Sequence, residues 1–159
     1  MNKSILRKAE SAFGRKIILL IHGPNLNFLG KRDSQHYGTM SFDQLIAEAR
    51  QHAKKLNLKL KAFQSNHEGD LIDFLQSNSA TALGIIINAG ALTHYSYALY
   101  DALLDTKLPC VEVHLSKIQI REKWRRVSVI APACKKVISG KKALGYFEAL
   151  DYLSNHLKK

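Results

Sequence analysis

The sequence predicts one α/β domain, a three-layer sandwich in which helices cover both faces of a five-stranded parallel sheet. Three observations carry that expectation. Short apolar runs alternate with longer amphipathic segments from Lys16 to Leu157, and strands that alternate with helices form βαβ units whose strands lie parallel. Two of the runs, Lys16–His22 (KIILLIH) and Leu83–Asn88 (LGIIIN), are almost wholly apolar, as strands buried on both faces are. The 159 residues fit one domain and contain no repeat, low-complexity tract or linker.

The elements follow in chain order. Lys16–His22 runs straight into Gly23-Pro24-Asn25, so it reads as a central strand ending in a turn. Ser41 caps a helix that passes through Leu45, Ile46 and Ala49 and ends near Leu56. Leu58–Gln64 alternates as a half-buried strand, and Asp70–Ser77 is a helix with Leu71, Ile72, Phe74 and Leu75 inward. Leu83–Asn88 is the third strand and His94–Leu104 the third helix. Pro109–His114 (PCVEVH) and Lys136–Ser139 are the last strands, and Gly145–Leu157 is the closing helix. Right-handed crossovers would make this a flavodoxin-like sandwich. Residues 1–15 are basic, lack the apolar core of a secretory signal, and read as an amino-terminal arm before a single catalytic domain over 16–159.

Cys110 and Cys134 give neither a disulfide framework nor a zinc signature, which points to a reducing cytoplasm. No apolar run approaches the length of a membrane span. The formal charge of +11 suits nucleic acid, a membrane surface or an anionic substrate. The cations are scattered, however, from Lys54–Lys55 to Lys158–Lys159, with no interleaved aromatic platform.

In a sheet of this kind ligands bind beyond the carboxyl ends of the strands. Asn25 and Asn27 follow the first strand; Ser65, Asn66, His67 and Glu68 follow the second; Asn88, Thr93 and His94 follow the third; Glu112, His114 and Ser116 close the fourth. Any one of these serves equally well as a turn or cap residue. Four polar tips at one edge point to a pocket. Gly-x-Gly-x-x-Gly, Walker and Gly-x-Ser-x-Gly patterns are absent. Glu112 and His114 share a strand face but lack a third ligand at metal spacing.

Five ordered blocks carry a resemblance. Gly23-Pro-Asn-Leu-Asn-Phe-Leu-Gly-Lys-Arg32 with Tyr37-Gly38, Gln64-Ser-Asn-His-Glu-Gly69, Asn88-Ala-Gly-Ala-Leu-Thr-His94, Glu112-Val-His-Leu-Ser116 and Arg121-Glu-Lys-Trp-Arg125 resemble those of type II 3-dehydroquinate dehydratases. The match runs from Lys16 to Leu153. It implies trans dehydration of 3-dehydroquinate through an enolate, without cofactor, metal or Schiff base. It also implies a cytoplasmic enzyme of aromatic amino acid biosynthesis, a dodecamer of trimers that takes no nucleic acid and no membrane as partner.

Carried over by position, the resemblance makes Tyr37 the base, His114 the acid, Arg32 the cation beside Tyr37, and Asn25 the holder of the enolate's water. Asn88, His94, Arg125 and the backbone of Leu115–Ser116 would bind substrate, and Asp101 would reach a neighbouring subunit's site. Glu68, Glu112 and Arg121 would support them. A tyrosine must fall about three pKa units to be half ionised at pH 7, roughly 4 kcal/mol. A guanidinium about 4 Å away supplies ~1 kcal/mol in water but ~4 kcal/mol at an effective dielectric near 20. The loop Gly30–Gly38 would therefore have to close as a lid.

Departures from the usual pattern are Lys31, Asp33-Ser34, Ala89, Lys117 and the basic stretch Gly140–Gly145; none removes an assigned group. Two rival readings remain at this level: a non-enzymatic basic binding protein, which leaves Tyr37, His114 and Arg32 unexplained, and a metal-dependent hydrolase using Glu112, His114 and His94.

Overall fold

A computed structural model describes residues 16–31, 35 and 38–158. The arm expected over residues 1–15, and Arg32 and Tyr37 of the expected lid, lie outside the described residues. The strands are β1 (Ile17–His22), β2 (Lys59–Gln64), β3 (Ala82–Asn88), β4 (Cys110–His114) and β5 (Lys136–Ser139). They form one parallel sheet in the order β2-β1-β3-β4-β5. Among the described residues four α-helices alternate with them: α1 (Phe42–Lys55), α2 (Glu68–Asn78), α3 (Tyr97–Thr106) and α4 (Leu144–His156).

Successive strand residues point to opposite faces, so the sheet separates two cores. Ile18, Leu20, Ile86, Val111, Val113 and Ile138 pack against Leu45 and Ala49 of α1 and Ala149, Leu150 and Leu153 of α4. Leu19, Ile21, Ile85, Ile87 and Cys110 pack against Leu71 and Leu75 of α2 and Leu99 and Leu103 of α3. Cys110 lies on the second face, and alternation puts Glu112 and His114 there with it.

Helix starts follow their capping chemistry. Ser41 accepts from Gln44 N at 3.2 Å while Gln44 Oε1 accepts from Ser41 N at 3.0 Å, a reciprocal box that fixes the start of α1. The second helix begins at Glu68 rather than Asp70, which sets two carboxylates on the positive end of its dipole. The third begins at Tyr97 rather than His94: Ser96 Oγ accepts from Leu99 N at 3.0 Å, and Gly90–His94 winds into a separate 3-10 turn. His94 is therefore held by a turn, which places its ring over the strand tips.

The first two site loops interlock. His22 and Asn88 lie level across β1 and β3, and Gly23 N donates to Asn88 O at 2.8 Å. A Cβ on Gly23 would stand 2.2 Å from Ala89 O, and one on Gly90, at φ +60°, would stand 2.9 Å from Pro24 O. Only glycine allows the two chains to approach so closely. Among the described residues no helix is long and apolar enough to cross a membrane.

Candidate active site

Beyond the tips of β1, β3 and β4 lies a cleft of about 580 Å³, its open mouth included. It is lined by Asn25, Asn88, His94, His114, Ser116 and Arg125 together with Pro24, Leu26, Gly90, Ala91, Leu115, Ile118 and Arg121. The fold thus gathers eight of the thirteen expected site residues around one space. Glu112 lies beneath it, Glu68 and Asp101 stand outside it, and Arg32 and Tyr37 fall outside the described residues. A neighbouring cleft, lined by Leu29, Met40, Leu45, Leu115, Ala143 and Lys142 among others, is mainly apolar and, among the described residues, pairs no acid with a base.

Glu112 is fully buried in mid-strand, where a carboxylate is costly unless its oxygens are hydrogen-bonded. His114 Nε2 lies 2.6 Å from Oε1, Thr93 Oγ1 donates to the same oxygen, and Ser128 Oγ stands 2.8 Å from Oε1 and 2.9 Å from Oε2. An ionised carboxylate only accepts, so the His114 proton on that side sits on Nε2. Nδ1 is left as the working nitrogen, a donor when the ring is charged and an acceptor when it is neutral.

His94 is set in the opposite sense. Its Nδ1 lies 2.7 Å from Val127 O, and a carbonyl can only accept, so Nδ1 carries the proton. Partial burial lowers its pKa; the Val127 carbonyl opposes that, while the charges of His114 and Arg125 add to it. A neutral ring with a bare Nε2 is suited to accept from a substrate hydroxyl.

Asn88 is fixed at both ends of its amide. Oδ1 accepts from Gly90 N at 3.2 Å and Nδ2 donates to Tyr146 OH at 2.9 Å. Tyr146 is fully buried, and burial pushes its phenol far above the ordinary value, so it stays neutral. Asn25 adopts the left-handed conformation, φ 68°, that asparagine tolerates. Its backbone N donates to Asn66 Oδ1 at 2.9 Å, and its side chain lines the cleft.

The cationic wall comes from the segment after β4. Arg125 packs over the Trp124 ring at 4.0 Å and pairs with Glu122 at 3.3 Å. Trp124 in turn meets His94 edge-on at 5.4 Å. Arg121 Nη1 donates to Ser116 Oγ at 3.2 Å. Of the supporting carboxylates, Glu68 accepts from Ser96 Oγ, the α3 cap, so it braces the turn carrying His94. Asp101 is exposed on α3. Among the described residues no three histidines, cysteines or carboxylates cluster at metal-binding distance. Cys110 and Cys134 are free thiols with sulfurs 3.5 Å apart.

Sequence reasoning missed Ser128 and Tyr146, and it noted Thr93 only as a residue after the third strand. Neither Ser128 nor Tyr146 stands at a strand tip, the signal that exposed the rest.

The chain matches the family model "Dehydroquinase class II" over residues 16–154. It is 48% identical over 142 residues to the 3-dehydroquinate dehydratase of Halothermothrix orenii, covering 89% of this chain and 96% of that one. The corresponding protein of Roseiflexus castenholzii is 50% identical over 136 residues, 86% of this chain and 87% of its own. Among solved structures, the type II dehydroquinase of Butyrivibrio crossotus superposes with a TM-score of 0.85 at 42% identity, covering 87% of this chain and 97% of that one. That of Propionibacterium acnes gives 0.85 at 35% identity, covering 88% and 97%.

Proposed function

The chain belongs to the class II dehydroquinase family, and on that premise we propose how the cleft does its chemistry. The activity is that of a 3-dehydroquinate dehydratase in the shikimate pathway: 3-dehydroquinate loses water to give 3-dehydroshikimate. The observation that carries the mechanism is the Glu112–His114 pair at 2.6 Å, with Nδ1 of His114 left free of the carboxylate.

Tyr37, its ionised form favoured by the Arg32 charge, takes the proton from C2, and the electron pair moves into the adjacent carbonyl to give an enolate. Asn25 holds the water that hydrogen-bonds the enolate oxygen. The enolate then collapses, the C1–O bond breaks, and His114 Nδ1–H protonates the departing hydroxyl so that it leaves as water. Holding that acid on a rigid strand end keeps it within hydrogen-bond reach of the leaving oxygen. Asn88, the bare Nε2 of His94, and the Leu115–Ser116 backbone hold the substrate hydroxyls. Arg125, with Arg121 behind it, balances the carboxylate. Asp101, exposed on α3, reaches the site of a neighbouring subunit in a dodecamer of trimers, and the enzyme works in the cytoplasm.

The test is the ultraviolet rise of the conjugated product when 3-dehydroquinate meets chelator-treated protein. The rise is expected, is expected to survive borohydride, and is expected to be lost in Tyr37→Phe. A Tyr37→Phe protein with near-normal turnover would remove the base from this scheme.

A further inference from the structure

We propose that Ser128, seconded by Thr93, is a positioning residue for the dehydration: it fixes the Glu112 carboxylate and, through it, the proton on His114 Nε2. The inference rests on the reading of His114 as the acid.

Glu112 Oε1 has three partners, His114 Nε2, Thr93 Oγ1 and Ser128 Oγ, whereas Oε2 has only Ser128 Oγ, at 2.9 Å, among the described residues. Ser128 Oγ itself receives the Ala131 backbone N–H at 3.0 Å. One of its lone pairs is thereby occupied, and its single proton is turned toward the carboxylate. The segment bearing Ser128 cannot swing away. Val129 N donates to Thr93 O at 2.8 Å, and His94 Nδ1 to Val127 O at 2.7 Å, which ties residues 127–131 to the turn that carries both Thr93 and His94.

The chemical consequence concerns the acid strength of His114. Hydroxyl donors spread and stabilise the carboxylate charge. With Ser128 in place, Glu112 stays ionised, accepts from Nε2, and leaves the imidazolium acidic enough to release its Nδ1 proton. Without the hydroxyl, Oε2 is stripped, and the more basic carboxylate holds the imidazolium more tightly. The His114 titration then moves to higher pH and proton delivery slows, while substrate binding is little changed because Ser128 does not line the cleft.

The experiment compares wild type, Ser128→Ala and Ser128→Thr by two readouts: the imidazole nitrogen-15 NMR titration of His114 without substrate, and kcat and KM against pH with 3-dehydroquinate. Ser128→Ala is expected to raise the titration by about one unit and lower kcat about tenfold, with KM within about twofold. Ser128→Thr, which keeps the hydroxyl, is expected to return both toward wild type. Should either variant fail to fold, Thr93→Val against Thr93→Ser gives the same contrast on the other donor. A folded Ser128→Ala protein with wild-type titration and kcat overturns the proposal. If wild type turns over no 3-dehydroquinate but the titration still moves, the positioning stands and the assigned reaction falls.

Discussion

Glu112 and His114, two residues apart on one face of β4, form a buried carboxylate–imidazole pair at 2.6 Å. The pair determines which imidazole nitrogen faces the cleft. Glu112→Gln removes the charge and places an amide among groups that all donate, so His114 loses its fixed tautomer. Turnover is expected to fall about 100-fold or more, within the range a general acid contributes. Steady-state kinetics on folded variant protein checks it.

The Asn88–Tyr146 bond couples the floor of the cleft to α4. Tyr146→Phe keeps the ring but leaves Asn88 Nδ2 without the phenol oxygen in a buried setting. A loss of about 1–3 kcal/mol in stability is expected, and KM should rise as the amide loses its fixed orientation. Urea denaturation and kinetics on the same preparation read both effects.

His22 gives the fold an acid-sensitive point. Its ring is fully buried between Phe42 and Tyr146, and among the described residues neither nitrogen makes a hydrogen bond of good geometry. Burial lowers its pKa from 6.5 to about 3, the Phe63 backbone opposing it in part. Between those two values the unfolded chain binds a proton that the folded chain refuses, so stability falls as pH falls. The expected slope is about 1.4 kcal/mol per pH unit below the unfolded value. His22→Leu should remove this component, and the difference between the two proteins in denaturation from pH 7 to pH 5 measures it.

Gly23 is expected to tolerate no side chain. A Cβ there would stand 2.2 Å from Ala89 O, a backbone atom that cannot turn aside. Gly23→Ala should cost about 3 kcal/mol and loosen both the Asn25 and Asn88 loops. Thermal unfolding checks the first effect and KM the second.

What was legible in the sequence follows from this geometry. β1 and β3 announce themselves because burial on both faces makes them continuous apolar runs. The strand-tip residues were legible because parallel strands align their carboxyl ends, as His22, Gln64 and Asn88 do here. The start of α3 was not, because Thr93, His94 and Ser96 offer competing caps within a few residues, and only tertiary packing selects Ser96. Ser128 and Tyr146 were also hidden. Ser128 comes to Glu112 from 16 residues away and Tyr146 to Asn88 from 58, and neither segment carries a local pattern that marks the contact.

The most direct test of the account is the turnover of 3-dehydroquinate by His114→Ala beside wild type, with fold and assembly verified in both. Active wild type and a variant slowed at least about 100-fold, with KM changed far less, is the predicted result. A folded His114→Ala protein that dehydrates substrate at close to the wild-type rate would contradict it, and the proton donor would then have to be sought elsewhere in the cleft.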